Sequence, residues 1–360
     1  MNTDKKSLFK QNHLQNLLVT GGAGFIGSAF IRFLFNQPDF KGKIINLDLL
    51  TYAGNLENLV EIANHPHYTF VHGNITNQEL VEKLCLTHHI DTIVHFAAES
   101  HVDRSIHNPQ SFLETNIMGT FHLLEVVKKH SHIHFHHIST DEVYGSLGDT
   151  GYFTESTPYQ PNSPYSASKA SSDHIVRAYH HTYGLHTTTS NCSNNYGPCQ
   201  FPEKLIPLIL MNCLNGKPLP VYGTGSNIRD WLYVDDHVHA IWTVLKKGVS
   251  GSVYNIGGEA EWKNIDLIHE IIKILSKTLN EDPEKFLSLI TFVKDRPGHD
   301  QRYAIDCSKI KKELGWSPLN SFSEGLSKTI DWYLNNKQWV ENVQSGTYQD
   351  WLRLHYSQQD

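Results

Sequence analysis

Three features of the sequence predict an α/β fold in which a doubly wound parallel sheet carries a smaller mixed α/β domain. From Leu17 to about Tyr196, short apolar or β-branched runs alternate with longer segments of helical period. Directly after the first run comes a glycine-rich turn, Thr20-Gly21-Gly22-Ala23-Gly24-Phe25-Ile26-Gly27, which opens the first helical segment. Past Gly197 the texture changes, as Pro198, Pro202, Pro207, Pro218 and Pro220 cut the chain into short pieces. Strands alternating with helices build a parallel sheet covered on both faces.

Taken in order, residues 1–15 are polar, lack an apolar signal core and read as a frayed leader. Strands are predicted at Leu17–Thr20, Lys43–Asp48, Thr69–Gly73, Thr92–Ala98, His134–Thr140 and Thr187–Cys192. Between the first two, Ile26, Ala29, Phe30, Phe33 and Leu34 recur at helical spacing and make one apolar face. Another helix is predicted to start near Ser163-Pro164. Gly223-Thr224-Gly225 adds a turn, and helical patterns resume at Val234–Lys247, Asn264–Asn280 and Phe322–Asn335.

A chain of 360 residues, 39% hydrophobic and 19% charged, is long enough for two domains or one enlarged α/β unit with a substantial core. The formal net charge of −7 leaves no basic footprint for nucleic acid or an anionic membrane, so an anionic ligand needs local cations. No segment approaches the apolar run of about 18 residues that spans a bilayer. Five cysteines, Cys85, Cys192, Cys199, Cys213 and Cys307, form no C-x-x-C pair, which argues against a disulfide framework and suits a reducing cytoplasm. The run from Lys129 to His137 alternates histidines along a predicted strand, but no Cys, Asp or Glu sits within it at ligand spacing. It reads as solvated or hydrogen-bonded histidines, and no metal is expected.

Gly22, Gly24 and Gly27 satisfy the G-x-G-x-x-G spacing, and Gly21 adds a second glycine reading. A side chain at these points would block a tight turn, the approach of a pyrophosphate to backbone N–H groups, or helix packing. Asp48 ends the second strand about 20 residues past the last glycine, where a carboxylate accepts hydrogen bonds from a ribose and repels a 2′-phosphate. Strand, loop, helix and acid in register define a Rossmann-type site that prefers NAD to NADP.

The chemistry concentrates further on. Ser139-Thr140-Asp141-Glu142 closes a predicted strand, where doubly wound folds place ligands. Tyr165 and Lys169 lie four apart on one helical face, so the lysine can stabilise a phenolate. Moving a tyrosine from its usual value near 10 to neutrality requires roughly 4 kcal/mol of preferential stabilisation of the anion, within reach of an adjacent cation and a nicotinamide charge. The same Y-x-x-x-K spacing recurs at Tyr333 and Lys337, but no strand-end hydroxyl precedes it and its tyrosine reads as packing. Asp141 and Glu142 can divide acid from base if one stays protonated while the other ionises.

In this order, these residues resemble the extended short-chain dehydrogenase/reductase family, in its nucleotide-sugar dehydratase branch. The likeness continues through Asp48–Leu56, His95–Ser105, Ser139–Gly145, Asn194–Pro198, Pro202–Pro207, Arg229–Val234 and Asp295–Asp300, and covers nearly the whole chain after the leader. It implies residues 16–197 as the NAD-binding domain and 198–360 as mainly the sugar-nucleotide domain, with segments returning to the first. It further implies a thymidine-linked glucose as substrate, with a uridine-linked one as alternative. Three steps follow: C4 oxidation by Tyr165, aided by Lys169 and Thr140; loss of the C6 hydroxyl with Glu142 as base and Asp141 as acid; and return of hydride to C6.

The resemblance places Gly21, Gly22, Gly24, Phe25, Ile26, Gly27, Asp48, Thr51, Asn74, Ile75, Ala97, Ala98, Thr115, Tyr165, Lys169 and Asn195 around NAD. It places Ser100, Thr140, Asn194, Lys204, Leu205, Tyr222, Arg229, Asn264, Arg296 and His299 around the sugar nucleotide, with Lys204, Arg229 and Arg296 as the local cations. Leu49 stands where the family usually has lysine, and Asn74 where an aspartate is common; both departures touch the adenosine half. A homodimer joined through the helices near Ser111–Lys129 and Ser163–Tyr183 is also implied. The nearest rival, an epimerase or decarboxylase of nucleotide sugars, needs no acid/base pair for losing water. Asp141 and Glu142 argue against it. A non-catalytic NAD-binding scaffold is the alternative of another class.

Overall fold

The computed structural model describes residues 14–345. All of the expected leader except Leu14 and Gln15 lies outside them. Twelve strands are described: β1 Asn16–Thr20, β2 Lys43–Asp48, β3 Tyr68–His72, β4 Thr92–His95, β5 His134–Thr140, β6 Thr187–Cys192, β7 Asn194–Tyr196, β8 Leu219–Tyr222, β9 Ile228–Tyr233, β10 Val253–Ile256, β11 Glu261–Lys263 and β12 Ile290–Val293. Seven form one sheet in the order β10-β6-β5-β4-β1-β2-β3, with every neighbouring pair parallel. Strand order reverses between β1 and β4, which opens a crevice at the carboxyl ends of these strands.

The register pairs Leu17 with Ile44 and with Thr92, and carries β5 beside β4 through His134 opposite Thr92. Apolar cores fill both faces. One gathers Leu18, Ile45, Ile93, Leu123, Val127 and Phe135; the other gathers Leu17, Val19, Phe30, Val94, Val238 and Ile241. The last sheet strand, β10, comes from beyond residue 197 and pairs with β6. The remaining strands form two small sheets, β11-β9-β7 and β12-β8, over a further core that includes Ile209, Trp231, Leu267 and Leu326.

The fourth predicted strand ends early, at His95 rather than Ala98. From Phe96 the chain leaves the sheet to cross the glycine turn, and a Cβ on Gly21 would lie 2.5 Å from Ala97 N. The polar strand β5 is wholly buried, as the interior of a parallel sheet requires. Thr188 Oγ1 lies 2.8 Å from both His134 Nε2 and His136 Nδ1. One hydroxyl can donate to one ring and accept from the other while both are neutral; His136 Nε2 lies 3.3 Å from Ser190 Oγ, whereas His134 Nδ1 has no hydrogen bond. Burial holds both well below the usual histidine value. The histidine run is thus hydrogen-bonded where it enters the sheet, not solvated. No described helix is long and apolar enough to cross a membrane.

Candidate active site

A single cleft opens at the carboxyl ends of β1, β2, β4 and β5, and the glycine turn forms its floor. Gly21 takes φ +70° to make the turn; Gly27 is held bare by Gly21 O, which a Cβ would meet at 2.3 Å. Gly24 differs, since a Cβ there would find only Gly21 O at 3.2 Å and would otherwise project into the cleft. It is also the N-cap of the helix Phe25–Phe35 and offers no capping side chain, leaving the first-turn N–H groups for a ligand. Gly22 lies behind the cleft, where its Cβ would strike Asn46 Oδ1 at 2.3 Å; its service is to helix–sheet packing.

Asp48 joins the turn to the second strand. Its Oδ2 accepts from Ala23 N at 2.9 Å and its Oδ1 from Leu50 N at 2.8 Å, which fixes the carboxylate at the cleft wall with lone pairs to spare. Phe25, Ile26, Thr51, Asn74, Ile75, Ala97, Ala98, Thr115 and Asn195 line the same cleft. Thr115 belongs to a wide turn of π-helix, Leu113–Gly119. Of the two departures, Leu49 is exposed at the rim, and Asn74 uses Oδ1 to accept from Thr76 N at 3.0 Å. These features form a cradle shaped for a dinucleotide.

Thr140, Asp141, Glu142, Tyr165 and Lys169 meet at the inner end of the cleft. Thr140 caps the short helical turn Asp141–Tyr144, its hydroxyl accepting from Glu142 N at 3.3 Å and approaching Asp141 Oδ1 at 3.4 Å. The helix Pro164–Tyr183 starts with a capping box between Ser163 and Ser166, has proline in its first turn and ends at left-handed Gly184. This firm start aims Tyr165 at the strand end. Tyr165 is raised well above 10, first by burial and next by the Glu142 charge, while the Thr140 hydroxyl beside it acts in the opposite sense. Lys169 is buried, donates to Ile138 O at 2.8 Å and is lowered to about 8 by that burial. The ammonium is therefore anchored to the backbone of β5, one helical turn from Tyr165.

The two carboxyls differ in setting. Asp141 is fully enclosed, has Oδ2 without a partner, and is raised well above the usual range by burial, then by the charges of Glu142 and Asp230. Glu142 is part-buried; burial raises it too, but Arg296, Arg229 and Lys204 all act to keep it ionised. Both carboxyls are raised, Asp141 the further, so Asp141 is the better set to hold a proton and Glu142, with three cations opposing its burial, to be the base.

Four of the expected substrate residues, Ser100, Thr140, Asn194 and Lys204, line this cleft, and Lys204 donates to Ser100 O at 2.8 Å. Leu205, Tyr222, Arg229, Asn264, Arg296 and His299 lie outside its lining. Arg229 nevertheless reaches toward Glu142, its guanidinium 4.2 Å over the Tyr303 ring and bonded to Asp300 O at 2.9 Å. Arg296 and Tyr222 share the carboxylate of Asp103, at 3.3 and 3.4 Å, and the Tyr222 ring faces His299. Buried polar atoms without protein partners, Asn194 Oδ1, Asn264 Oδ1 and Arg296 Nε, mark where a polar ligand would be received.

Glu99, Cys192, Gln200, Phe201 and Glu203 also line the cleft and were not anticipated. Cys192, Gln200 and Phe201 sit at a strand end or in a loop outside any motif, whereas Glu99 and Glu203 fall within His95–Ser105 and Pro202–Pro207 without a role assigned to them there. Asp173, directly behind the cleft, could have been found from its i+4 spacing to Lys169. The second Y-x-x-x-K pair is separated by a helix break, since Tyr333 lies in the last turn of the helix Phe322–Asn335 and Lys337 starts the next. Tyr333 is buried, donates to Gln200 O and packs on Trp332 and Trp339.

Comparison with known proteins agrees with this geometry. The profile of the GDP-mannose 4,6 dehydratase family matches residues 18–329. A dTDP-glucose 4,6-dehydratase of Escherichia coli is 55% identical over 353 residues, 92% of this chain and 97% of the relative. The chain belongs to the dTDP-glucose 4,6-dehydratase family. Among solved structures, the dTDP-glucose 4,6-dehydratase of Bacillus anthracis in complex with NAD is 50% identical, with a TM-score of 0.84, covering 91% of this chain and 99% of that one. That of Streptomyces venezuelae, with NAD bound, is 48% identical with a TM-score of 0.85, covering 91% and 100%. The seven-stranded parallel sheet and its flanking helices are thus the fold of the dTDP-glucose 4,6-dehydratase family.

Proposed function

We propose that the chain is an NAD-dependent lyase that converts dTDP-glucose to dTDP-4-dehydro-6-deoxyglucose and water. The observation that carries this reading is the pair Asp141 and Glu142 in one cleft with Tyr165, the first enclosed and favouring its protonated form, the second flanked by three cations. An epimerase has no use for that division.

The glycine turn, the free first-turn N–H groups of the helix Phe25–Phe35, and Asp48 would hold NAD, with Gly24 leaving room for the pyrophosphate and Asp48 receiving the adenosine ribose. When bound, NAD takes a hydride from C4 of the sugar and returns it to C6. Tyr165 receives the proton of the C4 hydroxyl, with the Thr140 hydroxyl and the Lys169 ammonium favouring the phenolate. Burial and the neighbouring Glu142 charge raise Tyr165, so it becomes a base only as positive charge gathers beside it. The C4 ketone acidifies C5. Glu142 takes the C5 proton while Asp141 donates one to the C6 hydroxyl, which departs as water. Arg229, Arg296 and Lys204 serve the diphosphate and keep Glu142 ionised.

Incubation with dTDP-glucose followed by mass spectrometry should show a product lighter by one water. Unchanged mass with altered stereochemistry would instead identify an epimerase. Assaying UDP-glucose beside dTDP-glucose reads the nucleobase preference, expected to favour thymidine. A homodimer is part of the same proposal: Leu113, Met118 and Tyr183 are 44–48% exposed on the two segments assigned to the contact. Sedimentation should give twice the chain mass. A reducing cytoplasmic setting accords with five buried cysteines that form no disulfide.

A further inference from the structure

Behind the cleft, the helix Pro164–Tyr183 carries a third functional group in step with Tyr165 and Lys169. Asp173 lies one turn beyond Lys169 on the same face and is buried. Its Oδ2 accepts from Ser139 Oγ at 2.9 Å, and the Tyr159 hydroxyl also stabilises its carboxylate. Oδ1 has no hydrogen bond; His137 Nε2 is 3.1 Å away but poorly aligned. An enclosed carboxylate of this kind is costly unless a charge elsewhere uses it. The cation that its charge favours is Lys169, one turn back on the same helix, whose ammonium is fixed by Ile138 O on the same strand as Ser139 and His137.

We propose that Asp173 is a positioning residue for the reaction, a buried counter-charge that keeps Lys169 protonated one helical turn from Tyr165. This rests on the reading of Tyr165 and Lys169 as base and cation. The groups facing the pair are Tyr165 and His174 on the same helix, His137 on β5, His95 on β4, Cys192 on β6, and Tyr144 and Tyr159 from the segment between. His95 and His137 are held neutral by burial, and the Cys192 thiol is raised to about 12, which leaves Asp173 the close partner that favours charge on Lys169.

Burial lowers Lys169 to about 8 and Asp173 opposes that fall, so removing Asp173 lowers Lys169 further. The test is the pH dependence of kcat in the NAD-loaded protein for Asp173→Asn, Lys169→Met and the double variant. In Asp173→Asn the alkaline limb should move down by about one unit, so that kcat at pH 8.5 falls roughly tenfold more than at pH 6.5. Asp173→Glu should restore the limb in part, and the double variant should be no worse than Lys169→Met. A uniform loss at every pH, or full additivity in the double variant, would overturn the proposal. If Asp173→Asn folds poorly, Asp173→Ser removes the charge while keeping a hydroxyl beside Ser139 and should move the alkaline limb down in the same sense; an unmoved profile there also counts against it. If Lys169→Met itself leaves kcat intact, the reading of Lys169 fails first, and the two failures are distinguished.

Discussion

At the residue scale, the cleft sets apart groups of the same chemical type by their surroundings. Asp141 and Glu142 are adjacent in sequence, and Arg229 acts on both, but Glu142 also feels Arg296 and Lys204 while Asp141 is raised well above the usual range by burial and by the Glu142 and Asp230 charges. This asymmetry makes the variants distinguishable. Tyr165→Phe should lower kcat by about 10²- to 10⁴-fold, the range of a lost acid–base group, while NAD binding followed by fluorescence changes little. Glu142→Gln should fail one step later. Its C4 oxidation proceeds, so reduced nicotinamide accumulates on adding substrate and its near-ultraviolet absorbance persists; absence of that signal would remove Glu142 from the second step.

At the scale of elements, two helix starts govern the site. The helix Phe25–Phe35 begins without a side-chain cap because its first turn is open to the cleft, whereas the helix Pro164–Tyr183 begins with a complete capping box. The first is adapted to a ligand and the second to rigidity. Gly27→Ala would press a methyl to 2.3 Å from Gly21 O, and the purified protein should retain far less NAD. Ser163→Ala should cost about 1 kcal/mol, read as a melting temperature lower by roughly 2 °C, with nucleotide binding intact.

At the scale of the whole molecule, the buried histidines link stability to pH. His136 and His237 are lowered to about 3 and His186 to about 4, chiefly by burial. The unfolded chain takes up protons on these residues below about 6.5 while the folded one does not, so stability falls with pH from there down to about pH 3–4. Asp173, raised to about 6, binds its proton earlier in the folded state and offsets part of this loss between about pH 6 and 4. Urea midpoints measured from pH 7.5 to 5 should therefore decline. A midpoint that rose on acidification would contradict the sign. NAD, binding only the folded chain, should raise the melting temperature in proportion to the logarithm of its concentration.

Much of the fold was legible in the sequence because its signals are local. Short apolar or β-branched runs and period-3.6 patterns located the main strands and the helices within a few residues, and the glycines were readable because each is needed by a backbone conformation or a close approach. The G-x-G-x-x-G turn, Asp48 and the Tyr165–Lys169 spacing likewise span short or regularly spaced stretches. Tertiary structure decided what depends on distant segments meeting. It ended β4 at His95 by laying Phe96 and Ala97 over Gly21, brought β10 back to the first sheet, and set Arg229 and Arg296 beside Glu142. Of the two Y-x-x-x-K spacings, the strand-end hydroxyls before Tyr165 already favour the first; the structure puts Tyr333 in the core and Tyr165 in the cleft. Spacing along a helix determines which side chains share a face; only packing determines what that face meets, and hence which proton is held and which is released.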